Sequence, residues 1–150
     1  MKRLRFLSLL AVTLVVISTG NAFAAPSATA LSVSPKRLNF GRIAVGTPSF
    51  QTAQSFTVTN NTVDFEYPTG VFFLKGQTTG IFLFSDSGGN CNLYSVTSGN
   101  GLPPGQTCQY EISMNTGAAG RGSDTFEVRW QKSDNVTFAT IDVALRGAVV

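Results

Sequence analysis

Three stretches of the chain alternate apolar and polar residues with a period of two. Cys108, Tyr110, Ile112 and Met114 oppose Gln109, Glu111 and Ser113; Phe126, Val128 and Trp130 oppose Glu127, Arg129 and Gln131; Ile141, Val143 and Leu145 oppose Asp142, Ala144 and Arg146. Successive side chains of an extended backbone point to opposite faces, so each stretch makes a strand with one dry and one wet face. A helix would scatter these apolar residues around its axis. Beyond residue 24 no window shows helical spacing.

The rest of the chain fits the same plan. Leu31 and Val33 alternate with serines up to Pro35, Phe40, Ile43 and Val45 mark an extended piece punctuated by Gly41 and Gly46, and Phe56 and Val58 alternate with Ser55, Thr57 and Thr59. Residues 71–74 and 81–84 are continuous apolar runs joined by a turn-like segment, residues 75–80. Turn chemistry separates the segments: residues 60–62, 86–90 and 133–135, and Leu102-Pro103-Pro104-Gly105, where Pro104 presets φ and Gly105 supplies a positive φ. The 133–135 turn makes its flanking segments a hairpin, and the glycine-rich residues 117–120 read as a second hairpin loop. Seven or eight short strands at this spacing predict an all-β antiparallel sandwich in one domain, residues 31–150.

The first 24 residues have the three parts of an export signal: basic Lys2, Arg3 and Arg5, an apolar run over residues 6–17, and Ala22-Phe23-Ala24 as a small-x-small cleavage site. The run is too short and too interrupted for a span of about 20 apolar residues. Residues 25–30 read as a flexible arm. Cleavage after Ala24 would remove three of the 11 basic residues and none of the eight acidic ones, leaving a net charge of zero. The basic balance of the full chain therefore gives no argument for nucleic acid or for an anionic membrane. Periplasm, cell surface or extracellular space is the expected location, with no membrane span once the leader is gone. Cys91 and Cys108 are the two cysteines, and in an oxidising compartment they predict one disulfide.

Catalytic chemistry finds little to work with. The chain has no histidine, so the commonest general base and metal ligand is missing, and a serine nucleophile would need a lysine base. Lys36, Lys75 and Lys132 sit beside turn signals, where solvation keeps them charged. Asp64 and Glu66 are two apart and would share a strand face, but edge charges of this kind are ordinarily solvated. Asp86 and Asn90 fall short of a calcium loop, and residues 117–120 lack the lysine and helix of a phosphate loop. No enzyme, no metal and no cofactor are expected. Asn60 and Asn135 begin glycosylation sequons. A carbohydrate-binding module, with Trp130, Tyr67, Tyr94 and Tyr110 as a stacking platform, is the alternative to a protein-binding module, although a lone sandwich tryptophan more often belongs to the core. A fibre subunit completed by a neighbour's strand is a third reading, and residues 25–30 lack the alternation a donor strand needs.

The stretch LSVSPKRLNFGRIAVGTPSFQTAQSFTVTNN, residues 31–61, resembles the opening of bacterial ASH-like modules, immunoglobulin-like domains related to abnormal-spindle and hydin domains and to the major sperm protein fold. Cys91, Leu102-Pro103-Pro104-Gly105 and Cys108 are similar to the Cys, L-x-P-G-x-x-C feature of exported members, and residues 141–147 to their closing strand. Met114-Asn115-Thr116 stands where the family carries F-x-P. The resemblance implies an immunoglobulin-like module for protein interaction or envelope assembly, with no catalytic residues to carry over.

The run Ile81-Phe82-Leu83-Phe84 departs from that pattern, because both faces of its strand are apolar while a two-layer sandwich dries only one. Phe82 and Phe84 match the family's core positions. Ile81 and Leu83 are then the candidate partner-binding residues, an outer patch for another protein or for self-association.

Overall fold

A computed structural model describes residues 31–74, 80–95, 97–132, 136 and 138–150, without the side chains of residues 86 and 87. The leader, the arm, Lys75 and the 133–135 turn lie outside the described residues. Eight strands form: β1 Leu31–Ser34, β2 Arg37–Ile43, β3 Gln54–Asn60, β4 Glu66–Phe73, β5 Phe82–Gly89, β6 Thr107–Met114, β7 Gly120–Lys132 and β8 Phe138–Val149. They make two four-stranded sheets, ordered β1-β3-β6-β5 and β2-β8-β7-β4. Among the described residues no helix is long and apolar enough to cross a membrane.

The alternating segments become β6, β7 and β8, with their apolar sides facing inward. Phe126, Val128, Trp130, Val143 and Ile112 have essentially no exposed surface. Aromatic rings join the layers: Phe56, Phe84 and Tyr110 of the first sheet lie with ring centroids 5.8, 5.3 and 6.3 Å from Phe126 of the second. Trp130 packs edge-on to Tyr110 at 6.5 Å. Close approach of the sheets also requires Gly147, where a Cβ would stand 2.8 Å from the Met114 side chain and 3.0 Å from Phe40.

β7 and β8 pair as the expected hairpin, from Gln131 with Phe138 to Gly120 with Val149. Three features differ from the sequence reading. β2 runs parallel to β8, so the sandwich is antiparallel except along this pair; alternation fixes a face, not a strand direction. Residues 117–120 join β6 in one sheet to β7 in the other, which makes them a connection between layers and not a hairpin loop. The 86–89 part of the supposed loop continues β5, whose register against β6 shifts between Ser85 and Gly89.

The long connection from β5 to β6 is anchored at both ends. Asn90 takes an N–H from Gln109 on its Oδ1 at 2.7 Å and donates its own N–H to the Gln109 carbonyl at 3.0 Å. The next residue, Cys91, is disulfide-bonded to Cys108 of β6. Gly105 has the positive φ, 71°, and Gln106 donates to the Pro103 carbonyl at 3.1 Å, the turn that the proline and glycine predict.

Candidate functional site

β5 ends the first sheet, with β6 on one side and no strand on the other among the described residues. Its register sets Leu83 against Ser113 and Ser85 against Glu111, all on the outer face, while Phe82 and Phe84 point to the core. Leu83 is 40% exposed. Phe50, 75% exposed at the tip of a single turn Ser49–Gln51, stands over the same face. Beneath it a hollow of about 380 Å³ is lined by Phe50, Ser85, Gly88, Glu111 and Ser113. The edge thus offers one apolar side chain, an apolar wall and a small-residue floor beside a strand with hydrogen-bonding capacity to spare.

The expected pair of outward residues is corrected on one member. Ile81 is only 5% exposed. It precedes β5, and its carbonyl takes the Asn115 N–H at 2.7 Å. Gly120 leaves room for it: a Cβ there would come within 3.2 Å of the Ile81 Cδ1. Gly80, at φ 54°, bends the chain just before it. Ile81 therefore closes the end of the core, and the outer patch rests on Leu83. Phe50 was not singled out by the sequence; its only signal was an isolated aromatic after Pro48 in a stretch with no alternation.

The other candidates separate. Trp130 is fully buried and Tyr110 is 4% exposed, so they present no ring face to a sugar and the stacking platform built on Trp130 is ruled out. Tyr67 and Tyr94 are half-buried. Asp64 is exposed, whereas Glu66 is fully buried at the start of β4, with its backbone paired to Leu102, so the two carboxylates share no site. Lys36 is exposed and Lys132 half-buried. Asn60 has no exposed surface; its Nδ2 donates to the Asp64 and Leu102 carbonyls at 2.7 and 2.8 Å, and its Oδ1 accepts from Thr62. That sequon is structural. Among the described residues no cluster of three metal-ligating side chains occurs.

No protein-family model matches the chain, and no curated protein matches it in sequence. Solved structures do match in fold. The ASH/PapD-like domain 7 of human CEP192 superposes with a TM-score of 0.56 at 13% identity, covering 95% of this chain and 98% of that domain. The Vibrio cholerae VesB protease gives a TM-score of 0.53 at 19% identity, over 81% of this chain and 32% of VesB. The chain spans about a third of the protease it matches. The architecture is thus an immunoglobulin-like β-sandwich, similar in fold to that ASH/PapD-like domain.

Proposed function

We propose that this chain is an exported, non-catalytic immunoglobulin-like module that binds a partner protein through the β5 edge. The observation that carries the reading is Leu83, exposed on the outer face of a strand whose far side has no neighbour among the described residues. Strand addition at such an edge takes its affinity from main-chain hydrogen bonds and its selectivity from alternate side chains, here Leu83 and the Phe50 wall. The Cys91–Cys108 disulfide supports an oxidising compartment. Full-length likeness to a small ASH/PapD-like domain supports a binding role over an enzymatic one.

Two measurements test the two halves of the proposal. Alkylation of the protein in the intact envelope without reduction is expected to leave both cysteines unlabelled; quantitative labelling would refute export to an oxidising space. Replacing Leu83 with lysine, which removes the apolar side chain and leaves the β5–β6 ladder in place, is expected to abolish co-isolation of whatever partner the wild type retains. Undiminished recovery by a folded variant would place the partner elsewhere.

A further inference from the structure

On the outer face of the second sheet, at one end, Arg42 of β2, Arg121 of β7 and Arg146 of β8 surround a hollow of about 580 Å³, with Asn39 and Ser123 beside Arg146. The register explains the convergence. Arg42, Ala148 and Arg121 stand in one row across three strands, and Asn39, Arg146 and Ser123 in another. The Cα atoms of Arg42 and Arg121 are thus about 10 Å apart, flanking a small alanine, and Arg146 completes a triangle about 8 Å from each. Arg42 reaches this face through a bulge: the pairing shifts between Asn39 and Gly41, and Gly41 takes a φ of 65°. One extra residue inverts the alternation beyond it, sending Ile43 into the core and Arg42 outward.

Among the described residues the hollow itself is lined by no acid, and Asp124, which accepts the Thr125 N–H at 2.7 Å, lines a separate hollow with Arg37 and Arg146. None of the three guanidiniums makes an ion pair among the described residues, and Glu127 of the same sheet is taken by Arg129 at 2.7 Å. Asp142 lies four residues from Arg146 along β8, about 13 Å and beyond the Debye length of about 8 Å at physiological salt. Gly41 donates its N–H to the Asn39 Oδ1 at 3.1 Å, which leaves the Asn39 amide nitrogen as a further donor at the rim.

We propose that this hollow binds a tetrahedral oxyanion, a phosphate or sulfate group, either free or borne on a lipid headgroup. A carboxylate offers two oxygens in one plane and is served by one guanidinium fork. Three forks arriving from three sides match an anion whose oxygens project in three dimensions.

The test is calorimetric titration with inorganic phosphate and with sulfate, together with sedimentation with vesicles of phosphatidylcholine alone or mixed with an equal part of phosphatidic acid. Variants are Arg121→Gln, Arg146→Gln and, outside the hollow, Arg129→Gln, each checked by thermal melting for an intact fold. Saturable phosphate or sulfate binding that weakens about tenfold in each hollow variant and is retained in Arg129→Gln supports a site for the free anion. Sedimentation only with phosphatidic acid vesicles, lost in the hollow variants and kept in Arg129→Gln, supports the lipid-borne source. Absence of binding to every probe, or binding that the hollow variants leave unchanged, overturns the proposal, as does an equal loss in Arg129→Gln.

Discussion

Asn60 ties three segments together with one amide. Its donors reach the carbonyls of Asp64 in the 62–64 turn and of Leu102 before the Pro104 turn, and its acceptor holds Thr62. Truncation to alanine takes one of two donors from each carbonyl, Asp64 keeping the Thr62 hydroxyl and Leu102 the Glu66 N–H, and leaves the Thr62 N–H without its acceptor, so it is expected to cost about 1 to 3 kcal/mol in urea denaturation. The same enclosure predicts that Asn60 carries no glycan when the protein is made in a glycosylating host, which intact mass will show. Tyr110 sits between Phe56, Phe84 and Trp130, and burial pushes its phenol well above the ordinary tyrosine range. Folding keeps this proton while the unfolded chain releases it near pH 10, so the folded state binds more protons above that pH and stability falls as pH rises. Tyr110→Phe is expected to flatten the decline above about pH 10. A variant whose alkaline melting curve follows that of the wild type would show that Tyr110 is not the responsible group.

β5 shows how closely elements can be read from a pattern and where a pattern stops. Ile81→Ser is expected to cost about 2 to 4 kcal/mol as a core truncation with a buried hydroxyl, and Phe82→Ala about 3 to 5 kcal/mol. Leu83→Ser is expected to move stability by about 0.5 kcal/mol or less. Urea titration of the three variants separates them, and a Leu83 variant as damaged as Phe82→Ala would mean that the chain itself covers Leu83. The inward placing of Phe82 and Phe84 was legible because an apolar residue at every second position has one dry face to occupy. Ile81 was not, since a period-two reading carries the strand one residue beyond where Gly80 turns the backbone. Similarly, Asp64 and Glu66 share a face only if both lie in the strand, and β4 begins at Glu66. The parallel course of β2 and the crossing at residues 117–120 were invisible because a glycine-rich loop serves a hairpin and a change of layer equally. The arginine hollow needed the bulge at Gly41 and the order of the strands, neither of which a single segment reveals.

At the scale of the molecule, five of the seven connections pass from one sheet to the other, so the core is knitted by loops as well as by packing. The exception on the first sheet, from β5 to β6, is long and is closed by the disulfide at a separation of 17 residues. Replacing both cysteines with serine is expected to lower stability by about 2 to 4 kcal/mol, mostly by freeing the unfolded chain, with the CD spectrum of the folded protein retained. Equal stability of the double mutant and the wild type would show that Asn90 and the Pro104 turn hold the connection alone. The two outer faces then differ in kind: β5 presents an exposed Leu83, and the β2-β8-β7 end presents three arginines with no ion pair among the described residues. The central claim is that the β5 edge meets a protein in the native envelope. Photo-crosslinking from a reactive residue at position 83, compared with one at Thr57 on the outer face of β3, tests it directly. The account predicts a discrete adduct from position 83 that is absent from position 57. Equal adducts from both positions, or none from 83 in a folded protein, would contradict it.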